Sequence, residues 1–310
     1  MRVFFPQFKI ESHREPWESA RIVVELARHG VECVLELDQR CDAVFVGSIF
    51  ANADAAEGYR KEPYRRYVAG YRQDQYARAR ANVIHYCWDM YPWVVEDPRH
   101  PEANRWQEYM RDLRSAREVW VPSTPVQRRV RQYLDRDAVV MPVVISTWEP
   151  DEPPTDGGYV VDVMRKYPGD PNTGLVKSVC DELGVECRET GADLSWPEYK
   201  RTIANARLLV SAYKEASTGS LALLDGYRLG KRVLLSDSEW NGGKHILGRK
   251  GYYFSWESRS SLRDSVYHLV STYTPKGATE TELSRAWVDE RYGEPVFAKV
   301  VADRLREVVR

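Results

Sequence analysis

Several absences narrow this chain before any motif is considered. Its 310 residues hold no apolar run near the roughly 18 residues of a membrane span. The formal net charge is -1, so no global field draws it to nucleic acid or to a membrane surface. Binding of that kind would need a local patch. There are five cysteines, Cys33, Cys41, Cys87, Cys180 and Cys187, with no Cys-x-x-Cys spacing among them. An odd count without that spacing points to free thiols in a reducing compartment. Cys87 and Cys180 stand in apolar runs and are expected in the core. The opening MRVFFPQFKIESHRE has too short an apolar part for a signal peptide and is read as a first strand, with the cytoplasm as the expected location. There is no internal repeat and no low-complexity tract.

What is present is an ordinary globular composition, 43% hydrophobic and 29% charged. The length suits two domains of about 150 residues. Ten tryptophans and 19 tyrosines suit either a core or a surface that stacks on sugars or bases.

Strand and helix patterns alternate along the chain. Strands are expected at Arg2–Phe5, Val31–Leu37, Ala43–Gly47, Asn82–Cys87, Glu118–Pro122 and Ala138–Val144. Helices are expected at Trp17–His29, Trp106–Ala116 and Val126–Leu134, with Gly30 as the first stop and Ser123 as the cap of the third. The Asp135-Arg136-Asp137 string reads as a turn, and His85 as a core residue. Pro150, Pro153, Pro154 and two glycines mark a linker, after which Tyr159–Met164 starts a second sheet. Helices then follow at Leu175–Leu183, Trp196–Ala204, Ser260–Tyr273 and Glu282–Arg310, with a strand at Val185–Arg188. The last helix carries an apolar pattern of Val296, Val300, Val301, Leu305 and Val309. The fold class is α/β, with two Rossmann-like doubly wound sheets.

Tyr59–Arg80 carries seven Lys or Arg against two acidic residues, interleaved with tyrosines. One reading is a helix that buries tyrosines and solvates arginines. The other is an acceptor surface for a polyanion such as DNA.

The most informative stretch is Ala204–Phe254. A strand at Arg207–Ala212 meets a small-residue loop with Ser217, Thr218, Gly219 and Ser220. A helix bearing Leu221, Leu224 and Tyr227 follows, then Gly230 and a strand from Val233. First-turn N–H groups have no partner inside a helix, and the helix dipole favours an anion there. Such a loop lets a phosphate approach. Asp225 falls one or two turns in, where a carboxylate could accept from sugar hydroxyls; local chemistry alone favours a solvated Asp behind a Ser/Thr cap.

Ser211, Glu215, Gly219, Leu224-Asp225-Gly226, Gly230, Val233, Ser236 and the Gly242-Gly243 turn resemble the donor-binding segment of GT-B glycosyltransferases, especially the large retaining group 1 or GT4-like family. That family carries two glutamates eight apart; here Asp225 replaces the second and Ser217 stands eight before it, with Glu215 two residues earlier. The resemblance implies residues 1–147 as an acceptor-side domain, 148–158 as linker and 159–280 as the nucleotide-sugar domain. Residues 281–310 would be a helical segment returning to the first domain. It implies a transferase that moves a sugar from a nucleotide-diphosphate sugar, a UDP- or GDP-sugar first among them, to a hydroxyl acceptor, with no required cofactor and no metal. Asp225 would bind ribose. Arg165, Lys166, Ser217, Thr218, Gly219 and Ser220 would take the diphosphate. Asp89, His13 and Glu215 would act at the reacting sugar, and Arg14, Trp88, Tyr91 and Trp93 would hold the acceptor. The acceptor is a glycan or, as in glycosyltransferases of phage genomes, a hydroxymethylated DNA base. The residues also leave room for a GT-B sugar-nucleotide epimerase, or for a non-catalytic module that binds nucleotide or nucleic acid.

Overall fold

The computed structural model describes residues 1–5, 16–34, 40–47, 81–87, 90–100, 103–145, 147–163, 172, 174–190, 194–212 and 221–310. The chain divides into two compact units. The first comprises residues 1–90, 94–146 and 294–310, the second residues 91–93 and 147–293.

The first unit holds strands β1 (Arg2–Phe4), β2 (Glu32–Val34), β3 (Ala43–Gly47), β4 (Val83–Tyr86), β5 (Glu118–Val121) and β6 (Val139–Val140). They form a parallel sheet in the order β2-β1-β3-β4-β5-β6. The order reverses beside β1, as in a doubly wound sheet. Parallel strands with both faces covered read as continuous apolar runs, and Val83–Tyr86 is buried at every position. Helix α1 (Pro16–Arg28) ends at Gly30, whose φ of 73° is the left-handed conformation that a helix stop uses. Helix α2 is Pro92–Val95 and α3 is Ala103–Ser115; α4 runs over Thr124–Leu134.

The second unit holds β7 (Val160–Asp162), β8 (Cys187–Glu189), β9 (Leu208–Ser211), β10 (Arg232–Ser236) and β11 (Tyr252–Phe254). These strands are also parallel, in the order β11-β10-β9-β7-β8. Its helices are α5 (Leu175–Leu183), α6 (Trp196–Ala204), α7 (Leu221–Arg228), α8 (Gly242–Leu247), α9 (Arg259–Ser271) and α10 (Ala278–Tyr292). A capping box opens α6, in which Glu198 accepts from the Ser195 N–H at 2.8 Å. Gly226 lets α7 lie close on β9: a Cβ there would stand 2.6 Å from Leu209.

The C-terminal region corrects the expectation in two ways. One helix from Glu282 to Arg310 is expected, but α10 ends at Gly293 and α11 begins at Glu294 and runs to Val309. Pro295 has no N–H to give to a preceding turn, so it starts a helix and does not continue one. The buried stripe of α11 is also rotated from the valine pattern. It consists of Phe297, Ala298, Val301, Ala302, Leu305 and Val308, while Val296, Val300 and Val309 are only partly buried. Ala298 and Ala302 give a low surface, and their cluster includes Ile22 and Leu26 of α1. Polar contacts hold α11 in the first unit: Arg304 donates to both oxygens of Glu118, at 3.0 and 2.5 Å, and Arg306 donates to the His29 carbonyl.

Candidate functional site

Ligands of open parallel sheets sit outside the carboxyl ends of the strands. In the second unit those ends are Asp162 on β7, Ser211 on β9 and Ser236 on β10, all buried. Beyond β10, the fully buried Asn241 donates from Nδ2 to Ser236 Oγ at 2.8 Å, and its Oδ1 accepts from the Gly243 N–H at 2.9 Å. One amide thus ties the strand end to the first turn of α8. Gly242-Gly243 is the start of that helix and not the expected open turn, because Asn241 caps it. Ser211 Oγ, in contrast, is buried with no partner among the described residues.

Asp225 lies in the second turn of α7 and is 6% exposed. Trp148 Nε1 donates to its Oδ1 at 3.0 Å, and the Tyr199 hydroxyl donates to its Oδ2 at 2.6 Å. The solvated-carboxylate reading of Asp225 is therefore overturned: two neutral donors hold it in place inside the unit. Around it, the Trp196 and Tyr199 rings stack at 5.3 Å, and Trp148 meets Trp196 edge-on at 5.8 Å. Neither Trp148 nor Tyr199 is a candidate from sequence. They lie 77 and 26 residues from Asp225, and no local pattern links either of them to it. One turn on, the buried Arg228 donates to both oxygens of Asp289, at 2.7 and 3.1 Å, to the Trp148 carbonyl at 2.5 Å and to Glu149 at 3.1 Å. The backbone that carries Trp148 is therefore anchored to α7 at two points.

Among the other candidates, Tyr91 is buried and Trp93 falls within α2. His13, Arg14, Trp88, Asp89, Arg165, Lys166, Glu215, Ser217, Thr218, Gly219 and Ser220 lie outside the described residues, as does the Arg/Tyr segment 59–80.

In the first unit, His85 is in the core, and burial lowers its pKa to about 4, with the Arg136 charge a smaller contribution. Among the described residues its Nδ1 has no partner. Ser123 occupies the cap position of α4, but its hydroxyl makes no capping bond and is buried without a partner among the described residues. This corrects the capping role expected of Ser123: Pro125 removes one of the two N–H groups that such a cap can use, and the hydroxyl does not turn to the other, that of Val126. The Asp-Arg-Asp string is a turn, with Asp135 left-handed at φ 49° as the end of α4. Its Arg136 donates to four carbonyls, of Leu113, Arg114, Ala116 and Arg117, and so closes the C-terminus of α3. Among the described residues, no three His, Cys, Asp or Glu side chains are grouped to hold a metal. No helix among them is long and apolar enough to cross a membrane.

No family model and no curated protein matches the chain. Solved structures do. HepE of Anabaena, in complex with UDP and glucose, is 12% identical, with 99% of each chain covered and a TM-score of 0.62. Sucrose-phosphate synthase of Thermosynechococcus elongatus is 10% identical over 99% of each chain, also with a TM-score of 0.62. WaaG, a glycosyltransferase involved in lipopolysaccharide biosynthesis, is 11% identical over 98% of this chain and 99% of its own, with a TM-score of 0.58. At these identities the likeness establishes the architecture: two parallel α/β sheets with the GT-B fold.

Proposed function

We propose that the protein is a glycosyltransferase of the group 1, GT4-like kind, which moves a sugar from a nucleotide-diphosphate sugar to a hydroxyl acceptor with retention at the anomeric carbon. The observation that carries this reading is Asp225: a buried carboxylate on the helix that follows β9, held by Trp148 and Tyr199. The fold supports it, as do the UDP and UDP-glucose complexes of HepE.

In this reading Asp225 accepts from the ribose hydroxyls of a UDP- or GDP-sugar. A carboxylate with a fixed orientation binds them without first paying for its own ordering. Arg165 and Lys166 follow β7 in the chain, and Ser217–Ser220 join β9 to α7. They take the diphosphate through guanidinium, ammonium and first-turn N–H groups. The charge that develops on the leaving diphosphate is met by groups already oriented, which is electrostatic catalysis without an obligatory metal. Asp89, His13 and Glu215 act at the reacting sugar. Arg14, Trp88, Tyr91 and Trp93 hold the acceptor, a glycan or a hydroxymethylated DNA base. The domain assignments 1–147 and 159–280, for acceptor and donor, belong to the same proposal.

The test is calorimetric binding of UDP, GDP, ADP, CDP and dTDP to the full chain. One diphosphate is expected to bind clearly more tightly than the rest. Asp225→Asn is expected to weaken it at least tenfold, with a circular dichroism spectrum like that of the parent. Equal affinity in parent and D225N would remove Asp225 from the donor site. No binding of any of the five would favour a non-catalytic module.

A further inference from the structure

We propose that Cys180 and Cys187 are a redox modification site, closing to a reversible disulfide. Cys180 is in the last turn of α5, and Cys187 opens β8. Gly184, left-handed at φ 65°, turns the chain between them, and the Val185 N–H donates to the Cys180 carbonyl at 3.0 Å. The helix end and the strand start therefore lie side by side. Both side chains pack in one apolar cluster with Val160. Val160 is also the register partner of Cys187 and the first residue of β7. The pair thus stands at the amino end of the sheet, opposite the carboxyl ends where Ser211 and Ser236 lie, and is distinct from the donor site proposed above.

The Cys187 thiol donates to the Arg188 carbonyl at 3.9 Å. The neighbouring Cys187 lowers the pKa of Cys180, and Cys180 together with burial raises that of Cys187. The remaining cysteines, Cys33, Cys41 and Cys87, belong to the first unit. Burial pushes Cys33 up to about 12.

Exposure divides the roles, since Cys180 is buried and Cys187 is partly accessible. With a low-molecular-weight disulfide such as oxidised glutathione as oxidant, the Cys187 thiolate attacks one sulfur and the glutathione S–S bond breaks. One glutathione thiolate leaves. The Cys180 thiolate then attacks Cys187 Sγ and displaces the second. Two electrons pass from the protein thiols to the oxidant, and their two protons end on the two released glutathiones.

The experiment equilibrates the full chain in graded ratios of reduced to oxidised glutathione, followed by acid quench, alkylation and trypsin. Cleavage after Lys177 and Arg188 leaves both cysteines on the one peptide Ser178–Arg188. At oxidising ratios this peptide is expected two hydrogens lighter and unalkylated; at reducing ratios it is doubly alkylated. Cys180→Ser is expected to stop at one glutathione on Cys187. Double alkylation at every ratio would overturn the proposal. So would a glutathione adduct that persists on Cys187 of the unsubstituted chain, or a bridge from either cysteine to Cys33, Cys41 or Cys87.

Discussion

Buried polar groups are handled differently in the two units. Around α7 of the second unit, Asp225 and Arg228 are bonded from several sides, and Asn241 spans a strand end and a helix start. In the first unit, His85 Nδ1 and Ser123 Oγ are buried with no partner among the described residues. A buried polar atom without a partner costs stability, whereas one with several partners has its orientation decided before a ligand arrives. Among the described residues of the second unit, Ser211 Oγ, at the carboxyl end of β9, and Arg285 Nε are also buried without a partner. The contrast is therefore one between the groups around α7 and β10 and those at His85 and Ser123.

Breaking the best-satisfied group is expected to have the largest effect. Arg228→Met strands Asp289 and the Trp148 carbonyl and should cost about 4 kcal/mol, read as a fall in the urea midpoint. A loss below about 1 kcal/mol would mean that the network adds nothing beyond packing.

Acid titration tests the unsatisfied side of the comparison. His85 goes from 6.5 in the unfolded chain to about 4 in the folded one. The unfolded chain therefore binds more protons between those values, and stability falls as pH drops from 6.5 to 4. The full loss is about 3 kcal/mol, absent above pH 6.5. His85→Leu should flatten that limb of the urea-midpoint profile. An unchanged slope would assign the acid sensitivity to other groups.

The smallest effect is expected at Tyr199→Phe, which removes one donor from Asp225 while Trp148 remains. It should cost about 1 kcal/mol in urea unfolding. A cost equal to that of Arg228→Met would show that the carboxylate depends on the tyrosine alone.

Much of the fold was legible because apolar periodicity and glycine stops are local. Val83–Tyr86 and Leu208–Ser211 read as buried strands from their own residues, and Gly30 and Gly230 end their helices where expected. The break at Gly293 was missed because Ala278–Tyr292 and Glu294–Val309 are both good helices, and a pattern count runs across the joint. Ser123 stands at the cap position that its residue type predicts, but residue type does not set the direction in which the hydroxyl turns. Of the candidate site, Asp225 was legible as a carboxylate on a helix after a small-residue loop. Its donors were not, since nothing local to Asp225 points to Trp148 or Tyr199.

Two parallel α/β sheets, the strand-loop-helix unit around Asp225 and the scarcity of charge bias are legible in the residues alone, because each follows from residue type and spacing over a few turns. That Asp225 is buried between an indole and a phenol, that Arg136 closes another helix's end, and that Cys180 and Cys187 pack in one cluster are visible only in the folded chain. Those facts depend on which distant surfaces pack together, and packing is settled by the shape of whole elements and not by any single stretch.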